Sequence, residues 1–226
     1  MINMETSDIK KLLIAKELHG GYEKKWDILR GVNLEMIAGE AVGVIGLNGS
    51  GKSTLGRALM NLLPFRSGQI IFDGQDVTSL PTRALSRAGM ALMHQGGAVF
   101  PGLTVRENLN LAWGRNPDRN NRQRLEAIVP LLQNPSRSLL HLAADKLSGG
   151  QRHELALVMT LAQNPKLLIL DEPSAGLSPE AEEKAYNTLG LIRKEFGTAI
   201  LLIEQNVQRA KTFCDRYVEM IPAITE

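Results

Sequence analysis

The stretch Gly46-Leu47-Asn48-Gly49-Ser50-Gly51-Lys52-Ser53 constrains this chain more than any other. Just before it, Ala41-Val42-Gly43-Val44-Ile45 has no polar side chain on either alternating set. A strand of a parallel sheet covered on both faces reads this way. Just after it, Leu55, Ala58, Leu59, Leu62 and Leu63 recur at helical spacing up to Pro64, which predicts an amphipathic helix. Strand, glycine-rich turn and helix supply the context that G-x-x-x-x-G-K-[ST] requires. The glycines let successive backbone N–H groups face inward, and the helix N-terminus adds positive potential, so the turn becomes an anion cradle. Residues 46–54, Thr54 included, are then candidates to line a nucleotide's phosphates. Lys52 would reach the β- and γ-phosphates, and the Ser53 hydroxyl would sit on Mg²⁺. A dinucleotide fingerprint fails, because Lys52-Ser53-Thr54 follows where a third glycine would be needed.

The rest of the chain repeats the alternation. Leu167 to Leu170 and Thr198 to Ile203 are two more buried strands. Between them Ser178-Pro179-Glu180 opens a helix: a serine cap, proline at the first helical position, and acids in the positive first turn. That helix buries Ala185, Leu189, Ile192 and Phe196 and stops at Gly197. Such alternation implies an α/β protein with a parallel sheet. Upstream, Val32, Leu34 and Met36 alternate as a half-buried strand, and Gln69 to Phe72 with Asp73-Gly74 reads as strand and turn. His19-Gly20-Gly21-Tyr22-Glu23 reads as a turn after the apolar run Leu12 to Ala15. The middle, 96–158, has helical but no strong strand signals and reads as an insertion, with 116–122 a solvated loop inside it.

Two further motifs carry chemistry. Leu168-Ile169-Leu170-Asp171-Glu172 is a strand ending in two carboxylates at the edge where parallel α/β sheets bind ligands. Asp171 can hold Mg²⁺, and Glu172 can polarise a water that attacks a γ-phosphate. Leu147-Ser148-Gly149-Gly150-Gln151 places a serine and two glycines at a helix start, a second anion site. Two such sites meet on one nucleotide only if the chain folds back or two chains share it. Near the C-terminus, Ala199 to Ile203 breaks abruptly into Glu204-Gln205-Asn206, which either leaves the core or delivers a polar group to the sheet edge.

Together these residues resemble the ATP-binding cassette (ABC) ATPases over nearly the whole chain. Gly46 to Ser53 resembles the Walker A loop and Leu168 to Glu172 the Walker B strand with its catalytic acid. Leu147 to Gln151 resembles the family signature, Ser174-Ala175-Gly176-Leu177 the D-loop, and Gln95 the Q-loop glutamine that bridges metal site and helical subdomain. Tyr22 falls where an aromatic stacks on adenine, and Gln205 where most cassettes have a histidine facing the γ-phosphate. The resemblance implies a RecA-like P-loop NTPase core with a mainly parallel sheet, an N-terminal antiparallel β subdomain and an inserted α-helical subdomain. The expected layout is one domain, with 1–95 and 159–226 forming the core and β subdomain and 96–158 the helical part. It implies Glu172, Lys52 and Gln205 as catalytic, and Ser53, Gln95 and Asp171 at the metal. It also implies head-to-tail dimers in which Leu147 to Gln151 serve the partner's nucleotide.

Val99 to Leu109, Asp171 to Pro179 and Ile203 to Asn206 are most similar to bacterial importer subunits, above all those of branched-chain amino acid importers. That branch often has glutamine at position 205, and often glutamate where Gln95 stands. The implied protein is an ATPase subunit, cytoplasmic and peripheral on the inner membrane face. It would energise a separate permease, with a solute-binding protein as an indirect partner. Residues 95–100 are the expected permease contact, with Val99 and Phe100 as apolar anchors if exposed, and ordinary core of the helical subdomain as the equal alternative for Val99. Lys plus Arg number 26 against 24 Asp plus Glu, so no net field points to nucleic acid. Cys214 stands alone, and no apolar run approaches the ~18 residues of a membrane span. The opening residues lack the apolar core of a signal peptide. A soluble cassette such as a cluster-assembly ATPase is the alternative reading.

Overall fold

In the computed structural model, residues 10–24, 27–113 and 139–221 are described. The expected loop at 116–122 lies outside them. Two sheets organise the fold. Strands β1 (Lys11–Gly21), β2 (Leu29–Ile37), β4 (Phe65–Phe72) and β5 (Gln75–Asp76) form an antiparallel sheet in the order β2-β1-β4-β5. Strands β3 (Ala41–Gly46), β6 (Met90–Met93), β7 (Leu167–Asp171), β8 (Ala199–Ile203) and β9 (Arg216–Met220) form a parallel sheet in the order β6-β7-β8-β3-β9. The helices are α1 (Lys52–Leu59), α2 (Thr82–Ala88), α3 (Val105–Trp113), α4 (Gly149–Leu161), α5 (Pro179–Phe196) and α6 (Val207–Phe213).

The unbroken apolar runs are explained by two cores, one on each face of the parallel sheet. Leu167, Ile169, Leu201 and Ile203 join Leu55 and Leu59 of α1 and Leu13 and Phe72 of the antiparallel sheet. Their neighbours Leu168, Leu170, Ile200 and Leu202 join Leu155 and Val158 of α4 and Leu189 and Ile192 of α5. Period-2 alternation places every second residue in each core. This is the α/β architecture that the alternation of strand and helix implies, with the antiparallel sheet beside it. Ser178 accepts from the Ala181 N–H at the start of α5, Pro179 follows, and Gly197 ends the helix at φ 64°, as expected.

Three expectations need correction. The helix expected to reach Leu63 stops at Leu59, and Leu62 is exposed rather than buried. Asn61 turns left-handed at φ 55°; its N–H donates to the Ala58 carbonyl and that of Leu62 to the Arg57 carbonyl. That paired closure ends helices without a glycine. The turn expected at His19-Gly20-Gly21 is the end of β1, which pairs with β2 through register shifts that include those after Ala15 and Leu18, and with β4 through a shift between Lys16 and His19. Gly20 is there because an added Cβ would lie 2.9 Å from Leu63 Cδ1 and 3.1 Å from the Phe65 carbonyl. Finally, β6 and β9 are strands that the pattern did not announce. Met90-Ala91-Leu92-Met93 has no β-branched residue, and Arg216-Tyr217-Val218-Glu219-Met220 is a largely exposed edge strand carrying Arg216 and Glu219.

Candidate nucleotide site

The loop 46–51 leaves β3 and enters α1 with Gly46, Gly49 and Gly51 at φ 152°, 81° and 93°. Two of them are also sterically demanded. A Cβ on Gly46 would lie 2.4 Å from the Met220 carbonyl at the end of β9, and one on Gly51 would lie 3.1 Å from Ile28. Helix α1 starts with no side-chain cap and no acid in its first turn, so its leading N–H groups and its dipole face the loop. Lys52 is only 5% exposed, and its ammonium donates to the carbonyls of Gly46 (2.8 Å) and Leu47 (2.9 Å). No carboxylate pairs with it among the described residues. The buried Ser50 hydroxyl has no protein partner. A buried cation with a donor to spare and an orphaned hydroxyl fit an anionic ligand such as a polyphosphate.

Strand β7 delivers the acids. The Ser53 hydroxyl donates to Asp171 Oδ1 at 2.8 Å, which brings two of the three expected Mg²⁺ ligands together. Burial pushes the Asp171 carboxyl above the ordinary range; the Ser53 hydrogen bond opposes this and the Glu172 charge adds to it. Glu172 adopts a left-handed φ of 49°, and its N–H donates to the Ile203 carbonyl at 2.9 Å. Its carboxylate lies between two amides. Gln95 Nε2 donates to Oε2 at 2.7 Å, and Gln205 Nε2 donates to Oε1. Gln95 is thus engaged with Glu172 rather than with the Ser53–Asp171 pair.

The other expected residues divide. Ser148 and Gln151 form a reciprocal cap: the Gln151 N–H donates to Ser148 Oγ (3.2 Å) and the Ser148 N–H to Gln151 Oε1 (2.9 Å). Gln151 therefore serves its own helix, whereas the Ser148 hydroxyl keeps its proton to donate. Leu147 is buried in the second core and anchors the turn by packing. No hydrogen bond joins 147–151 to 46–53 among the described residues. Tyr22 is exposed, with its hydroxyl accepting from Arg57, whose guanidinium carbon lies 5.7 Å from the ring centroid. Arg57 was not among the expected site residues, and its neighbours at helical spacing, Ser53, Thr54, Met60 and Asn61, gave no signal for it.

A glycine-rich loop with a buried lysine, a hydroxyl–carboxylate pair and a clamped acid at the carboxyl edge of a parallel sheet fit a P-loop nucleotide-hydrolysing fold. The family model described as ABC transporter matches residues 29–175, and the chain belongs to that family. It is an ATP-hydrolysing cassette. A probable branched-chain amino acid transport ATP-binding protein, LivF of Archaeoglobus fulgidus, is 36% identical over 90% of this chain and 86% of that protein. The lipopolysaccharide export ATP-binding protein LptB of Escherichia coli is 31% identical over 90% of this chain and 84% of that protein. Among solved structures, cbiO1 of Clostridium perfringens, part of the cbiONQ transporter complex, matches at TM-score 0.80 and 26% identity. That likeness covers 93% of this chain and 85% of that one.

Proposed function

We propose that this cassette is the ATPase subunit of an importer for a small solute resembling a branched-chain amino acid, acting through a separate permease. The observation that carries the catalytic reading is Glu172, held between Gln95 and Gln205 beside the Ser53–Asp171 pair. Each step falls to a named group. Lys52 and the loop N–H groups would hold the β- and γ-phosphates, and Ser53 and Asp171 would hold Mg²⁺, which when bound would neutralise charge on the phosphates. Tyr22 stacks on the adenine. Glu172 orients and polarises the attacking water. The Gln205 amide has two N–H donors, so one can hold Glu172 while the other reaches a γ-phosphate oxygen. Because this amide takes up no proton near neutrality, it senses phosphate without acid–base chemistry.

The LivF likeness supports the solute class, and the exposed Phe100 beside a groove of about 580 Å³ with Ala98, Leu111 and Met159 supports a permease contact. This would hold the subunit at the inner membrane face, with a solute-binding protein reached only through the permease. The LptB likeness favours a second reading, an exporter cassette. Pull-down of the tagged chain from its native membrane, then reconstitution of the captured permeases in proteoliposomes, decides between them. Leucine-class solutes with their binding protein should stimulate ATP hydrolysis severalfold. Stimulation by a lipid cargo instead would establish the exporter.

A further inference from the structure

Glu204, immediately after β8, is a buried acid with no part in the hydrolytic steps above. It is 3% exposed. Oε1 accepts from the Ser174 hydroxyl (2.6 Å) and the Tyr186 hydroxyl (2.8 Å). Oε2 accepts from the backbone N–H groups of Gln205 (3.0 Å) and Asn206 (3.2 Å). Four donors on two oxygens satisfy a carboxylate. Burial, with the Glu204 charge beside it, pushes the Tyr186 phenol up, so Tyr186 stays a donor. An apolar residue would fill this position more simply, as the preceding Ile200 to Ile203 do.

From this placement we infer that Glu204 is a positioning residue that fixes Gln205 on Glu172 and ties both to the loop at Ser174. The connections close a ring. Glu204 Oε2 holds the Gln205 backbone, the Gln205 amide holds Glu172, and Oε1 holds Ser174, two residues beyond Glu172. The Glu172 N–H is pinned to the Ile203 carbonyl, and the Glu204 N–H donates to Val44 at 3.1 Å, in the strand that feeds the phosphate loop. Beyond that Glu204–Val44 hydrogen bond no strand pairing fixes the direction of the chain among the described residues. Two N–H groups gripped by one carboxylate oxygen select the path that aims Gln205 at the acid. Displacement of the 174 loop then moves Gln205 as well.

The inference rests on the catalytic reading of Gln205, and the test separates the two. Glu204→Ala, Glu204→Asp, Glu204→Gln and Gln205→Ala are compared in Mg-ATP affinity, kcat and Tm. Glu204→Ala should lower kcat at least tenfold with affinity within twofold, because a misplacement near 1 Å can cost about a hundredfold. Glu204→Gln should restore most of that loss: its oxygen can keep the two backbone donors while the hydroxyls turn to accept from its NH₂. Combined with Gln205→Ala, Glu204→Ala should add little. If Glu204→Ala does not fold, Glu204→Asp decides, since it draws the acceptors back by about one bond, ~1.5 Å. Wild-type kcat in a folded Glu204→Ala or Glu204→Asp overturns the inference while leaving Gln205 catalytic. Wild-type kcat in Gln205→Ala overturns the catalytic reading of Gln205 and the inference with it.

Discussion

Asp171 shows most plainly, at the scale of single residues, how a nucleotide site trades stability for binding. Burial raises its carboxyl above the ordinary value, so the folded protein holds this proton more tightly than the unfolded chain does. Stability therefore falls as pH rises from the unfolded value of roughly 3.9 through the raised folded one. Asp171→Asn removes that loss and keeps an acceptor for Ser53. The variant should melt higher than wild type at neutral pH without ligand. Mg-ATP at about 100 times Kd adds about 2.7 kcal/mol to a protein that binds it, and this increment should vanish in Asp171→Asn. Thermal melts with and without Mg-ATP check both halves; an unchanged ligand-induced shift would remove Asp171 from the metal site. Lys52, Ser53, Asp171 and Glu172 were legible in the sequence because each sits at a fixed offset from a buried strand. Arg57 and Glu204 were not, because their partners Tyr22, Ser174 and Tyr186 lie far along the chain.

Elements were legible where a core dictated their pattern. The runs at β3, β7 and β8 are apolar throughout because both faces of the parallel sheet are covered, and α5 carries its own start and stop residues. Local grammar failed where tertiary pairing overrode it, as at Gly20 and Gly21 inside β1, or where an asparagine did a glycine's task at Asn61. The contact between the Gln95 loop and α4 is likewise invisible in sequence. Gly97 has φ 66°, and a Cβ there would lie 2.5 Å from Ala156 Cβ. Gly97→Ala should therefore push the loop off α4 and lower kcat by roughly tenfold, with nucleotide affinity little changed. Adding Ala156→Gly should return part of that activity. The left-handed strain of about 1–2 kcal/mol and a helix cost of about 1 kcal/mol would persist. Steady-state hydrolysis and Tm of the single and double variants test the contact. Equal activity of Gly97→Ala and wild type would show that the loop does not depend on it.

At the scale of the whole molecule, the two helix starts proposed to hold anions must be reconciled. The loop at 46–53 and the turn at 147–151 share no hydrogen bond among the described residues, although each presents N–H donors. A second copy resolves this if Ser148 of one cassette caps the triphosphate held by the other, and the prediction can be made sharp. Glu172→Gln keeps the amide-sized group between Gln95 and Gln205 but slows hydrolysis, so Mg-ATP should persist and the variant should elute as a dimer. Asp is as good a helix cap as Ser, so Ser148→Asp preserves α4 while setting a carboxylate against the partner's phosphates. The Glu172→Gln, Ser148→Asp double variant should bind Mg-ATP at near wild-type affinity yet remain monomeric by light scattering. Without the shared site, Ser148 faces only solvent, and both variants would behave alike. Dimerisation of the double variant, or a Glu172→Gln protein that stays monomeric in saturating Mg-ATP, would therefore place each nucleotide within a single chain.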